Sequence, residues 1–241
     1  MQHGSRFSGD VVLVAGGTGG LGRAVSLAFL SEGATVATSY RTQAEFEDLI
    51  QAAGASAGRI EGHRIDATDE AATRGLSEDI VGRHGRLDAL VNAVGGYAGG
   101  VNLWDVETKV LDQMLALNLR SGYVLTRAVL PAMLRAGRGS IVNIAAKAAL
   151  EHPARAAAYA ASKAAALGLM NALAAETLGT GVRVNSVLPS VIDTPANRKS
   201  MPKANFAKWP KPEEIARVIL FLCSADAAVI HGAAIPVYGG R

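Results

Sequence analysis

Seven short β-type runs alternate with longer helical patterns along the 241 residues, and few folds satisfy such an alternation. Val11 to Ala15 is continuously apolar, as expected of a strand buried on both faces. Leu21 to Ser31 then carries apolar residues at helical spacing. Thr35 to Tyr40 reads as a second strand and Gln43 to Ala53 as a second helix. Further strands are expected over Arg59–Ile65, Leu87–Val91, Ser140–Ala145, Val182–Leu188 and Ala233–Val237. Further helices are expected from a cap at Asp69, and over Lys109–Ala136, Ala157–Leu178 and Pro212–Cys223. Such regularity means parallel strands joined by right-handed crossovers, with helices on both faces. The expectation is α/β: a single domain over 1–241 built on one doubly wound, Rossmann-type sheet of seven parallel strands. Its ligands belong at the carboxyl ends of the strands, where the strand order reverses. The irregular stretch Ser190 to Pro210 carries Pro195, Pro202 and Pro210 and is a candidate substrate lid, with a plain surface loop as the competing reading.

Composition narrows the function classes. Hydrophobic residues make up 49% of the chain, ample for a buried core, and the net charge is only +3. No Lys/Arg-rich run with interleaved aromatics is present, so nucleic acid is not an expected partner. Arg198, Lys199, Lys203, Lys208 and Lys211 gather late in the chain and read as a solvated surface rather than an anion site. Cys223 is the single cysteine, so no intramolecular disulfide forms, and its apolar neighbours make it a core residue. The five histidines lack metal-ligand spacing, so no metal is expected. No apolar stretch approaches the roughly 18 residues of a membrane helix, and Met1 to Asp10 lacks a signal-type apolar region. A cytoplasmic protein without membrane contact is the expectation.

Directly after the first strand comes Ala15-Gly16-Gly17-Thr18-Gly19-Gly20-Leu21-Gly22. Glycines permit a tight turn and a close approach of backbone N–H groups to a pyrophosphate, which the following helix N-terminus also attracts. Gly16, Thr18, Gly20, Leu21 and Gly22 are therefore candidate dinucleotide-binding residues. The second strand ends in Ser39-Tyr40-Arg41-Thr42, without the acid that would favour a free ribose 2′-hydroxyl. Arg41 next to Tyr40 suits a 2′-phosphate, so NADP is favoured over NAD, the alternative being an exposed arginine. Asp66 and Ala67, at the end of the third strand, are candidates for the adenine side. Asn92, Ala93 and Gly95 are candidates for the ribose side.

Tyr159 and Lys163 stand at i and i+4 of an expected helix and share a face. A nearby ammonium lowers a phenol's pKa from about 10, which would make Tyr159 an acid or base near neutrality. The alternative is a surface pair on an alanine-rich helix.

Together these residues resemble the short-chain dehydrogenase/reductase family. Its Thr-Gly-x-x-x-Gly-x-Gly pattern falls on Ala15, Gly16, Gly20 and Gly22, with Ala15 departing from it. Its Asn-Asn-Ala-Gly motif appears as Asn92-Ala93-Val94-Gly95, and its relay asparagine as Asn118. Its Tyr-x-x-x-Lys pair is Tyr159 and Lys163. Its Pro-Gly is Pro189-Ser190, with Ile192 and Thr194 following on the nicotinamide side. The likeness runs from about Gly9 to Gly240. It implies an NAD(P)H-dependent oxidoreductase acting on a small molecule, with Tyr159 as general acid. Lys163 would hold the nicotinamide ribose and lower the Tyr159 pKa, and Asn118 would support a water relay. It further implies a homo-oligomer, dimer or tetramer, built on the helices over Lys109–Ala136 and Ala157–Leu178, with Pro236 to Arg241 reaching a neighbour.

One departure is informative. The family serine lies thirteen residues before the tyrosine, and here that position is Ala146, preceded by Ala145. Loss of one such donor typically impairs carbonyl chemistry by about 10²–10³-fold. Dihydropteridine reductase, a divergent branch of the family, also keeps Tyr and Lys without the serine. Three segments resemble it: Gly95 to Gly100, Ala146 to Leu150, and Leu188 to Pro202. The missing acid after the second strand and the setting of Asn118 are unlike it. This narrower resemblance implies an already activated acceptor, such as a quinonoid dihydropterin, with Ala146, Lys147 and Tyr97 on the substrate side. Tyr97 or Trp104 would stack on a flat ring. The alternatives are a general carbonyl or quinone reductase with another donor, such as Lys147 or a backbone N–H, and a dinucleotide-binding protein without turnover.

Overall fold

The structure, a computed structural model, describes residues 5–240. β1 (Val11–Ala15), β2 (Thr35–Tyr40), β3 (Ile60–Arg64), β4 (Ala89–Asn92), β5 (Gly139–Ile144), β6 (Val182–Pro189) and β7 (Ala234–Val237) form one sheet in the order β3-β2-β1-β4-β5-β6-β7. Every pairing is parallel, as expected. The order reverses at β1, which pairs with β2 on one side and β4 on the other. The carboxyl ends of β1 and β4 therefore flank a crevice, held together by the Ala93 N–H donating to the Ala15 carbonyl at 3.0 Å.

The period of two along β1 explains its continuous apolarity. Val12 and Val14 face a core shared with α1 (Gly20–Ser31) and α9 (Pro212–Cys223). Val11, Leu13 and Ala15 face a second core formed with α3 (Glu70–His84), α5 (Ser121–Ala136) and α7 (Ala157–Glu176). A strand with no solvent-facing side favours apolar residues throughout. α2 (Gln43–Ala53) packs against β2 and β3 beside α1. Asp69 caps α3 by accepting from the Ala72 N–H at 3.0 Å, which satisfies one of the helix's orphan donors. At the opposite end of the sheet, Arg86 clasps Asp88 and Asp10 at 2.7 Å each, and Asp88 accepts from the Val11 N–H at 2.9 Å. These ties fix the amino ends of β1 and β4, so their carboxyl ends are presented in a set relation.

Strand and helix ends differ from the sequence reading by one or two residues. A larger difference concerns the helix expected over Lys109–Ala136. It divides into α4 (Thr108–Leu115), a π-helical turn over Ala116–Arg120, and α5. The wider turn adds no break in hydrophobic spacing, so periodicity did not reveal it. α6 (Ala148–Glu151) lies in a stretch given no element in the sequence reading, and α8 (Pro195–Ser200) lies in the candidate lid. Cys223 is partly buried and packs against the core, and desolvation pushes its thiol pKa up to about 12. None of the helices among the described residues is long and apolar enough to cross a membrane.

Phe29 is fully buried and meets Phe7 edge to face at 4.9 Å between α1 and the sheet. Phe29→Ala is expected to cost about 3–5 kcal/mol of unfolding free energy, read by urea denaturation.

Candidate active site

The glycine turn after β1 is shaped by close backbone approach. A Cβ on Gly17 would collide with the Thr38 side chain, and one on Gly22 with the Gly16 carbonyl. Gly16 itself holds φ +72°, a conformation that glycine adopts without strain. The Gly16 N–H donates to the Ser39 hydroxyl at 3.0 Å, tying the turn to β2. No side chain caps α1 at Gly19, so the first-turn N–H groups of Gly20, Leu21 and Gly22 gain no partner there. Open amides and a helix dipole at a strand's carboxyl end fit a pyrophosphate. A groove of about 660 Å³ runs past this turn, lined by Thr18, Gly20, Arg23, Thr194 and Arg198 among others. Thr194 lies so close to Gly20 that a Cβ there would come within 2.8 Å of its methyl group. The stretch 190–210 thus folds over the turn, with Arg198 and Asp193 in a bidentate ion pair.

The ends of β2 and β3 carry the other expected contacts. Tyr40 stacks on Phe46 at 4.6 Å and donates to Gln43. Arg41 is exposed beside Asp66 and has no ion pair among the described residues. The Asp66 carboxylate accepts from the Thr68 N–H and hydroxyl at 2.8 Å each, bonds that hold its pKa below the usual value, with Arg41 a lesser cause. Both bonds fall on Oδ1 of an exposed carboxylate, so Oδ2 faces outward at the end of β3, and Ala67 is buried in the core. Glu45, in the first turn of α2, accepts from the Thr18 hydroxyl at 3.0 Å. This acid at the glycine turn was missed in the sequence, since it lies beyond the strand end where an acid was sought.

Asn92, expected on the ribose side, ends β4. Its side chain is buried, donates to Asn143 at 3.0 Å and accepts from the Val94 N–H at 3.2 Å. It supports the turn after β4, leaving Ala93 and Gly95 at the crevice. Gly95 is the point of closest approach: a Cβ there would lie 2.9 Å from the Asn118 side-chain oxygen and 3.2 Å from Lys163 Nζ. The structure thus brings β4, the π-turn and α7 together around one glycine.

Asn118 sits in the π-turn, 2% exposed. Its Oδ1 accepts from the Gly96 N–H at 3.0 Å, and its Nδ2 donates to the Gly96 carbonyl at 3.1 Å and to the Ser162 hydroxyl at 2.9 Å. The Ser162 hydroxyl in turn donates to the Tyr159 carbonyl at 2.8 Å. Ser162 was missed in the sequence, although it directly precedes Lys163. Pro189 ends β6, and its carbonyl accepts from the Lys147 N–H at 2.8 Å. The Ile192 carbonyl accepts from Asn197 at 2.8 Å, fixing the start of α8.

Tyr159 and Lys163 do share one face of α7, but the expected lowering of the Tyr159 pKa is corrected. Lys163 is buried and donates to the Ile144 carbonyl at the end of β5 at 2.8 Å, while the Tyr159 hydroxyl has no hydrogen bond among the described residues. Burial lowers the Lys163 pKa to about 8. Burial, and next the neighbouring Tyr97, push the Tyr159 pKa up to about 12, so desolvation outweighs any lowering by the ammonium. Tyr97 meets Tyr159 edge to face at 4.9 Å, with 73° between the rings. Trp104 is exposed over 82% of its surface and meets no other ring among the described residues.

Ala145 and Ala146 are buried and offer methyl groups where a hydroxyl would serve. Lys147 does not replace it in this arrangement. Its ammonium pairs with Glu151 at 3.1 Å and lies 4.9 Å from the centre of the Tyr238 ring. No group of three metal-ligating side chains occurs among the described residues.

A doubly wound parallel sheet with an open glycine turn at its switch point defines a dinucleotide-binding protein of Rossmann type. The short chain dehydrogenase family model matches residues 10–205, and the chain belongs to the short-chain dehydrogenase/reductase family of oxidoreductases. Similar proteins include the 3-oxoacyl-(acyl-carrier-protein) reductase of Thermotoga maritima, 32% identical over 243 residues, covering 98% of each chain. The D-threitol dehydrogenase of Mycolicibacterium smegmatis is 35% identical over 247 residues, covering 98% of this chain and 94% of that protein. Among solved structures, ElxO with NADP bound superposes with a TM-score of 0.90 at 26% identity, over 95% of this chain and 97% of that one.

Because Lys163 is charged only below about pH 8, any step that needs its ammonium weakens as pH rises through that value. Tyr159 keeps its proton throughout that range. The kcat/KM for reduction is therefore expected to fall above about pH 8, measured as a pH profile with saturating cofactor. A profile flat to pH 10 would remove the ammonium from the reaction.

Proposed function

We propose that the protein is an NAD(P)H-dependent reductase in which Tyr159 donates the proton to an activated, conjugated acceptor of quinone or quinonoid-dihydropterin type. The observation that carries this is the buried methyl of Ala146 where the family has a hydroxyl, alongside an intact Tyr159, Lys163 and Asn118. An isolated ketone needs a donor to steady the charge developing on its oxygen, whereas a conjugated electron-poor ring spreads that charge itself. A bound dihydronicotinamide supplies the hydride. Gly16, Thr18, Gly20, Leu21 and Gly22 hold the pyrophosphate of the dinucleotide, and Ala93, Gly95, Pro189, Ile192 and Thr194 border the nicotinamide half. Lys163 holds the nicotinamide ribose, and its ammonium favours the anion that Tyr159 becomes on giving up its proton. Asn118 orders the loop after β4 and supports the return of a proton from solvent. Residues 190–210 act as a lid within the single domain, a cytoplasmic homo-oligomer.

A second reading, a general carbonyl reductase, is favoured by the relatives' names, which include reductases and dehydrogenases of ordinary carbonyls and alcohols. The two readings separate in one assay. The protein is mixed with NADPH or NADH and either a quinonoid dihydropterin, a naphthoquinone or a simple ketone, and nicotinamide absorbance is followed. Oxidation with the conjugated acceptors and little with the ketone is expected, with Tyr159→Phe abolishing most of it. In Ala146→Ser, ketone reduction is expected to rise about 10²-fold. Ketone turnover as fast as quinone turnover in the unaltered protein would sink the first reading.

Arg41, exposed and without an ion pair, supports NADP as the preferred cofactor. Losing a charge-assisted bond to a 2′-phosphate costs about 1.5–3 kcal/mol, so Arg41→Ala is expected to weaken NADPH binding at least about tenfold. NADH binding should change little. Equal weakening of both, measured by fluorescence titration, would count against the 2′-phosphate contact.

A further inference from the structure

The loop after β4 is anchored at two points. At its start, Gly96 is gripped by both hydrogen bonds from Asn118, at 3.0 and 3.1 Å. At its end, the Gly100 N–H donates to the Arg155 carbonyl at 2.8 Å. Arg155 holds φ +62° and His152 φ +46°, the only non-glycine residues with positive φ among those described, so the receiving segment is itself constrained. Tyr97 stands between the anchors. Its ring is 69% exposed, and its hydroxyl forms no hydrogen bond among the described residues. A side chain on Gly99 would collide with that hydroxyl. The ring therefore rests between Gly99 and Tyr159, held by shape alone. An aromatic residue recruited for core packing would be buried. This one is exposed, flanked by glycines, and laid on the one phenol that the proposed chemistry uses.

We propose that Tyr97 is a positioning residue, an aromatic shutter that covers Tyr159 in the free protein and swings off it to stack on a planar conjugated acceptor. The identity of the acceptor rests on the reading of Tyr159 as proton donor to such a ring; the covering of Tyr159 does not. Displacing Tyr97 breaks an edge-to-face contact with Tyr159. A planar acceptor replaces that contact with an offset stack, and a compact aliphatic carbonyl has no face with which to do so. The shutter therefore discriminates between them even before chemistry. The Tyr97 ring also covers part of the half-buried Tyr159 ring until the acceptor arrives. Asn118 acts through this device, since its grip on Gly96 sets where the neighbouring Tyr97 begins its swing.

Two measurements on Tyr97→Ala and Tyr97→Phe test this. The first needs no turnover: the protein is treated with N-acetylimidazole, and acetylation of each tyrosine is read by peptide mass spectrometry. Tyr159 is expected to react several-fold faster in Tyr97→Ala, with Tyr40 and Tyr238 unchanged as controls for folding. An unchanged Tyr159 rate overturns the proposal whether or not any acceptor is reduced. The second compares KM for 9,10-phenanthrenequinone and for cyclohexanone with NADPH. Tyr97→Ala is expected to raise the quinone KM about tenfold while the cyclohexanone KM holds or falls, and Tyr97→Phe to restore the quinone KM. Equal changes for both acceptors overturn the selective role. If the unaltered protein oxidises NADPH with neither, the functional reading fails, and the acetylation result still decides the shutter.

Discussion

Close packing against bare glycine backbone at the carboxyl end of β1 is the constraint on which the site depends. Gly22 lies against the Gly16 carbonyl, Gly17 against Thr38, and Gly20 against Thr194, all within distances that no Cβ tolerates. These contacts set α1 at its angle to the sheet and aim its uncapped first turn into the crevice between β1 and β4. They also seat the stretch from Ser190 onward over the same turn. A larger side chain at any of these three positions would separate elements that must converge for one ligand to touch them all. The Arg86 clasp on Asp10 and Asp88 provides the complementary anchor at the far end of the same strands.

A second convergence is built from the π-turn. A regular helix over the whole of Lys109–Ala136 would point position 118 differently; the wider turn delivers Asn118 to Gly96 and Ser162 at once. Through Ser162 it meets the backbone of Tyr159, and through Gly96 the loop bearing Tyr97. One buried amide thus couples the two rings that face each other over the proposed proton path. Its hydrogen-bonding capacity is largely taken up by these partners. Any part Asn118 has in relaying protons is therefore secondary to holding this geometry in the free protein.

The sheet was legible because its signal is redundant: each strand is an apolar or β-branched run, and each crossover carries its own helical period. The glycine turn and the Tyr159–Lys163 pair were legible because position along the chain suffices to put them at a strand end and on a helix face. What escaped were features that depend on how side chains compete for partners. Asp66 and Asn92 also serve the protein itself, through bonds to Thr68 and Asn143 that position along the chain does not reveal. Lys163 was expected to lower the Tyr159 pKa, and spacing alone gives no hint that the Ile144 carbonyl takes its ammonium. Glu45 reaches Thr18 from the adjacent helix, a contact visible only once α1 and α2 lie side by side.

The two titrating groups also bear on each other through burial. Desolvation moves Tyr159 up to about 12 and Lys163 down to about 8, so each is pushed towards its neutral form. A neutral phenol is the form a reductase needs before hydride transfer, and an ammonium is the form that steadies the phenolate afterwards. Near neutrality both are present together: the tyrosine is protonated and the lysine is still charged. Electrostatic help from Lys163 is stronger in this buried setting than it would be in water, because little solvent screens it. In the proposed reaction that help acts on the anion left on Tyr159, while the buried Ala146 offers only a methyl group on the substrate side. In the proposed reaction the acceptor then carries its own developing charge, as a conjugated ring is able to do.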